Sequence, residues 1–296
     1  MTPPADLPGR LSLWALSVFV SKRAAGNPTG VILHDSADAE EVEQRIAQML
    51  GYPDTVFVSP LREGGRYDAR TYSPSEPIAF CVQSLLAAAA TLQLTGRIAG
   101  AVTFRVRGKD VLVTSDEAGM RWVRMNENRR LADLAPDLVH DLVGSVPRVQ
   151  VVDGGRRRAF VRFGGMEQLL GIEPSAGHVM RFCREQNVNG LCAFVVTAIG
   201  EIALRVFTTS LDGREDASTG GAVAGLCACS PDLFADGRPW RVEQGAGPRH
   251  RRGTLYVRSA GDGVRIGGAV QPVVRGEILA QSYAACVAAA ADGSHV

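Results

Sequence analysis

Ala69-Arg70-Thr71-Tyr72-Ser73 is a short alternating run, and Leu204-Arg205-Val206-Phe207-Thr208 repeats its form further along the chain. Eleven residues after Arg70 stands Cys81, and eleven residues after Arg205 stands Asp216. Each is followed by small or polar residues and then by an Ala/Leu/Gly/Val run. These are Val82-Gln83-Ser84 before 85–90, and Ala217-Ser218-Thr219-Gly220-Gly221 before 222–226. A strand, a loop carrying one ionisable group and a helix, used twice, predicts two pseudo-symmetric halves. If the halves face each other, Cys81 and Asp216 flank one cleft at opposed helix starts, an arrangement suited to moving a proton.

The rest of the chain is consistent with a globular protein. Its 296 residues suffice for one large or two ordinary domains, and 46% hydrophobic with 21% charged residues provide an ample core. The net charge is +1 and no basic block occurs, so nucleic acid is not an expected partner. The apolar stretch 11–20 is too short for a membrane span and lacks the flanks of a signal peptide, so it is expected to be a strand. The six cysteines (81, 183, 192, 227, 229 and 286) form no disulfide framework and are expected to be reduced thiols in a cytoplasmic protein. Cys227-x-Cys229 has no companion His or Cys pair, so no metal site is expected.

Periodicity predicts strands near 11–20, 31–34, 55–58 and 67–73, with a turn over 26–30 and alternating strands between 101 and 124. A helix is expected over 39–50, capped by Ser36 or Asp38, with Val42, Ile46, Met49 and Leu50 on one face. A second helix is expected over 82–94. After a connector near 127–137, strands are expected at 149–152, 157–162, 193–197, 202–208, 240–244, 254–259 and 263–266. Shorter helical segments fall at 166–171 and 178–185, a central helix at 220–229 and a last helix at 279–291. Strands wrapped round one helix, twice, give an α+β fold rather than a doubly wound parallel sheet. The expected halves span 11–130 and 138–278, with the C-terminal helix, 279–292, packing on the first.

Cys81 at a helix start is expected to feel the positive end of the helix dipole, which favours thiolate; a buried core cysteine is the plain alternative. Asp216 immediately precedes a small, hydroxyl-rich helix entry and serves as a base, an N-cap or both. Ser218, Thr219, Gly220 and Gly221 offer hydroxyls and backbone N–H groups for a substrate carboxylate, and Gln83 and Ser84 hold the matching place in the first half. Asp54, ahead of a strand, reads alone as a turn residue. Arg70 and Arg205 are expected to be strand-surface or supporting residues. No Walker loop, dinucleotide fingerprint or HExxH is present, so neither cofactor nor metal is called for.

These motifs resemble the PhzF-like (phenazine-biosynthesis type) isomerases, relatives of diaminopimelate epimerase. Val18-Phe19 and Gly26-Asn27-Pro28-Thr29-Gly30-Val31-Ile32-Leu33 are similar to the family's "VF…GNPxxVVL". Asp54-Thr55-Val56-Phe57-Val58 is similar to "ETxFV", and Arg205-Val206-Phe207 with 215–222 to "RxF…EDPATGSA". Glu243-Gln244-Gly245 and 267–273 resemble the closing "QG…GGxAVPV". Where the family reads "E-x-P-F-A-G-H-P-T", this chain has Glu76-Pro77-Ile78-Ala79-Phe80-Cys81-Val82-Gln83-Ser84, so Cys81 stands at its Gly and Val82 at its His. The related epimerases carry a catalytic Cys near that place and a second one where Asp216 stands here.

The resemblance implies a diaminopimelate epimerase-like fold and cofactor-independent acid–base catalysis by Asp54 and Asp216, with Cys81 as a further proton carrier. Asn27, Val82, Gln83, Ser84 and 218–221 form the implied substrate-binding set. It further implies a homodimer that isomerises a small carboxylic or amino acid by moving a proton and a double bond. Pyrroline-type precursors in antibiotic biosynthesis are one such substrate class. An epimerase using Cys81 and Asp216 as opposed bases, or a binding protein that has lost turnover, are the alternatives.

Overall fold

The helices Val82–Leu94 and Gly220–Cys229 lack a polar face, and a helix apolar all round has to be enclosed on every side. The computed structural model, which describes residues 11–22, 25–35, 39–61, 64–125, 128–245, 252–260 and 263–291, encloses both. Every residue from Val82 through Leu92 is buried, as are 222–227 and Cys229. Chain contacts divide the described residues into two units, one drawn from within 11–18, 28–121 and 270–291, the other from within 19–27 and 122–269. Each unit holds one of these helices.

The units share a strand plan. In the first, the strand Asn27–Leu33 is parallel to Asp54–Pro60, which is antiparallel to Arg66–Tyr72. That strand is parallel to Val102–Val106, itself antiparallel to Lys109–Ser115. In the second, Arg157–Arg162 is parallel to Gly190–Ala198, which is antiparallel to Glu201–Thr208. This last strand is parallel to Trp240–Gln244, itself antiparallel to Gly253–Ala260. The order of parallel and antiparallel neighbours is the same in both, so the echo of Arg70 in Arg205 reflects a repeat of topology. The α+β class, with a sheet wrapped round a helix in each unit, is the one expected.

Amphipathic helices cover the outer sheet faces. In the first unit, Val42, Ile46 and Ala47 of the helix Glu40–Leu50 pack with Ile32, Phe57 and Tyr72, and with Cys286 of the helix Ala280–Ala291. In the second, Val179, Phe182 and Cys183 of Ala176–Glu185 join Leu169, Leu191 and Phe207 in one core.

Several expectations are corrected. Met49 is 49% exposed, because Glu43 is buried and rotates the apolar stripe toward Glu43, Ile46 and Ala47. Ala39 is the N-cap of that helix; Ser36 and Asp38 lie outside the described residues. The turn expected over 26–30 is confined to Gly26 (φ 73°), and strand begins at Asn27. The connector near 127–137 contains the strand Arg129–Leu134 and the start of a short helical segment, Pro136–Val143. The strand expected at 263–266 runs from Gly263 to Glu277.

The second central helix can touch its sheet because Gly225 has no side chain: a Cβ there would stand 2.5 Å from Phe160 Cζ. Gly225→Ala is therefore expected to destabilise the protein by about 1–3 kcal/mol through overpacking. Urea unfolding of Gly225→Ala and of Gly225→Ala/Phe160→Leu checks this, since the smaller partner should recover part of the loss.

Candidate active site

In the first unit the loop after Pro77–Ile78 delivers Cys81 as the N-cap residue of Val82–Leu94, with extended backbone (φ −139°, ψ 114°). Asp54 opens its strand opposite Thr29 of the parallel neighbour. The Cys81 thiol donates to Asp54 Oδ2 at 3.5 Å. Burial, reinforced by the Asp54 carboxylate, pushes the thiol far above its ordinary range, while the hydroxyl and amide of Ser84 pull weakly the other way. The expectation of a dipole-stabilised thiolate is thus corrected: desolvation and an adjacent negative charge outweigh the helix start. Cys81 is a neutral acid hydrogen-bonded to a carboxylate.

Gln83 is buried, and its amide donates to Thr29 Oγ1 at 2.8 Å and to Pro28 O at 3.4 Å, tying the helix start to the Asn27–Leu33 strand. Val82 is buried and contributes only its backbone polar groups. Ser84 is fully buried beside Cys81.

In the second unit Asp216 lies on the two-residue strand Glu215–Asp216, paired with Val206 and Phe207. Glu215 anchors this strand. Arg205 Nε and Nη2 donate to its two carboxylate oxygens at 3.0 and 2.7 Å, and Arg205 Nη1 donates to Leu169 O and Ile172 O. Asp216 Oδ2 accepts from Thr219 Oγ1 at 2.6 Å, and Oδ1 accepts from Ser218 N at 3.4 Å and Asn27 Nδ2 at 3.5 Å. Thr219, not Asp216, is the N-cap residue of Gly220–Cys229.

Fully buried Gln244 closes the loop, bonding Asp216 O, Thr219 Oγ1 and Thr219 N at 2.9 Å each. Gly253 admits the loop: a Cβ there would stand 2.7 Å from Ser218 Cβ and 2.9 Å from Ala217 O. Burial raises the Asp216 pKa; the Thr219 hydroxyl, the Ser218 and Ala217 amides and the Arg158 charge counter it in part. The result is a carboxylate more basic than usual, as proton abstraction requires.

The structure therefore brings Cys81 together with Asp54, and Asp216 together with Asn27, Ser218 and Thr219. Arg205, expected only as a supporting residue, is echoed in the repeat, since Arg205 and Arg70 each hold a buried acid. Gln244, by contrast, is brought to the loop by the fold alone. Arg70 Nη2 donates to Glu43 Oε1 at 2.6 Å, and the Tyr72 hydroxyl donates to Glu43 Oε2 at 2.9 Å. Cys192 and Cys227 are pushed up to about 12 and Cys183 and Cys229 to about 11 by burial, and all six cysteines are free. Among the described residues no group of three or more His, Cys, Asp or Glu is arranged to hold a metal ion, and no helix is long and apolar enough to cross a membrane.

A profile described as phenazine biosynthesis-like protein matches residues 16–276. A protein of Deinococcus radiodurans named as an uncharacterized isomerase is 27% identical over 253 residues, covering 78% of this chain and 79% of its own. The crystal structure of a PhzF-family protein from Enterococcus faecalis superposes with a TM-score of 0.76 at 20% identity, over 92% of this chain and 100% of that one. A hydroxyproline epimerase from Agrobacterium vitis, with bound trans-4-hydroxy-L-proline, superposes with a TM-score of 0.61 at 13% identity, over 93% and 97% of the two chains. The last two likenesses concern the fold.

Two outcomes follow from the electrostatics. Alkylation of Cys81 by iodoacetamide at pH 8 is expected to be at least about tenfold slower than that of a free thiol, and faster in Asp54→Asn; mass spectrometry with Cys81→Ser as control reads both. Asp216 has a raised folded pKa, so its ionisation costs stability above the ordinary carboxylate value of 3.8, increasingly as pH rises through the folded value. Asp216→Asn should therefore melt above wild type at pH 7, with the gap closing as pH falls toward 4. A gap unchanged over that range would contradict the assignment.

Proposed function

The chain belongs to the phenazine biosynthesis-like protein family, and from that premise we propose that it is a cofactor-independent isomerase moving a proton, and with it a double bond, in a small unsaturated carboxylic or amino acid. The carrying observation is Asp216, a half-buried carboxylate with raised pKa, oriented by Thr219, Ser218 and Asn27 at the entry to a helix. A carboxylate so held is a general base for an activated C–H, with its hydrogen bonds fixing the direction of attack. Cys81 retains its proton beside Asp54 and, as a weak acid, can give it only to a strongly basic carbon such as the carbanion that the base creates. In this scheme Asp216 takes the proton at one carbon and the Cys81–Asp54 pair returns one at another.

A cyclic, pyrroline-type acid is the substrate class we favour. The family resemblance supports it, as does the fold shared with an epimerase that binds a proline derivative. A role in antibiotic or other secondary metabolism, as a cytoplasmic homodimer, goes with the same assignment. The thiol at position 81 also favours a second possibility, epimerisation at one Cα with Cys81 and Asp216 as the two acid–base groups.

Deuterium uptake from heavy water, followed by NMR over a panel of unsaturated cyclic amino acids and dihydroaromatic acids, separates the two. Label remote from the carboxylate together with a shifted double bond supports the isomerase. Label at Cα alone, with inversion, supports the epimerase. Asp216→Asn is expected to lose more than about 100-fold in rate with its fold intact, as removal of a general base does; near-full activity would sink the scheme.

A further inference from the structure

Arg158, in the strand Arg157–Arg162 of the second unit, is a buried cation, 7% exposed, with no salt-bridge partner among the described residues. Its guanidinium makes one hydrogen bond there, from Nη1 to Arg156 O at 3.3 Å, and Nε has no partner. Arg156, whose own guanidinium bonds Ser210 and Asn189, adds a second positive charge nearby. An unpaired buried guanidinium is expensive, so a fold that keeps one is expected to use it.

The guanidinium lies against the start of the central helix. A Cβ built on Gly221 would stand 3.0 Å from Arg158 Nη1 and 3.5 Å from Nη2, so glycine is what admits the charge. The first intrahelical bonds are those of Ala222 N and Val223 N to Thr219 O. Thr219 N is taken by Gln244 and Ser218 N by Asp216, whereas the amides of Gly220 and Gly221 have no acceptor among the described residues. Two open amides at a helix start, with the positive end of the helix behind them, already favour an anion. An unpartnered guanidinium beside them supplies the charge.

We infer that Arg158 supplies the counter-charge for a substrate carboxylate at the Gly220 and Gly221 amides, the helix entry already expected to receive that group. This extends the isomerase assignment, on which it rests, by naming the group that holds the acid. The charges of Arg158 and Asp216 stabilise each other, so a carboxylate bound there would offset the field that keeps Asp216 from being more basic. Binding the correct anion would in that way strengthen the base that acts on it.

The test compares wild type, Arg158→Met and Asp216→Asn for binding of acetate, benzoate and pyrrole-2-carboxylate and of the three corresponding amides, by NMR titration, alongside thermal melting. Wild type should bind at least one of the carboxylates, and bind it more tightly than its amide. Arg158→Met should weaken that carboxylate by about 30-fold, the worth of a charge-assisted hydrogen bond, and leave the amide unchanged. It should also melt at or above the wild-type temperature, because an uncompensated buried charge has gone. Unchanged carboxylate affinity in Arg158→Met, or no carboxylate binding by wild type, overturns the inference. A lower melting temperature with equal affinity would make Arg158 a structural cation and overturns it too. Asp216→Asn should still bind the carboxylate. Arg158-dependent binding with no deuterium uptake from any acid would therefore sink the isomerase scheme while leaving this site standing.

Discussion

The buried ion pair between Arg205 and Glu215 is the constraint on which the geometry around Asp216 hangs. Glu215 is the residue before Asp216, so fixing one fixes the backbone of the other. Both side chains are withdrawn from water, and the guanidinium is further bonded to Leu169 O and Ile172 O. Such a pair gains little over well-packed apolar residues, yet losing either partner strands a charge and costs about 3–5 kcal/mol. Its value lies in geometry. Gln244 completes the bracket from the next strand by holding the Asp216 carbonyl and both polar groups of Thr219. The carboxylate is thus oriented by groups that are themselves immobilised.

The first half repeats the arginine with a different acid. Arg70 reaches Glu43, which comes from an outer helix, and Tyr72 shares the same carboxylate. There the ion pair joins helix to sheet and leaves the loop before Cys81 to be set by other contacts, among them Gln83 on Pro28 and Thr29. Burial acts in one direction at both helix starts: it disfavours the charged form. For a thiol that means a retained proton, and for a carboxylate a greater appetite for one. One physical term therefore leaves the thiol protonated and makes the carboxylate more basic.

The repeat carried most of the fold into the sequence. The two central helices, with bounds at 82–94 and 220–229, are legible because Ala, Leu, Val, Gly and Cys leave them no polar face. The matched arginines located the strands beside them. Met49 departs from the apolar pattern because that pattern cannot announce a buried Glu43, whose burial depends on Arg70 and Tyr72 arriving from another strand. Cys81 departs from expectation for the same reason: helix position is local information, whereas the Asp54 carboxylate and the surrounding desolvation are tertiary. Asp216 was legible as an acid at a helix entry, but its holders, Gln244 and Arg205, are distant in sequence. Arg158 carries no motif at all; what marks it is burial with no ion pair among the described residues.

The small residues of the central helices bear on how such a protein can diversify. Gly225 lets Phe160 rest on the second helix, and an Ala-rich face does comparable service in the first, so these positions tolerate little drift. Just ahead of each helix, Cys81, Asp216 and Thr219 are only partly buried, whereas 82–84 and Ser218 are enclosed like the helices themselves. A lineage built on this plan would keep its scaffold frozen and drift first at those few partly exposed letters.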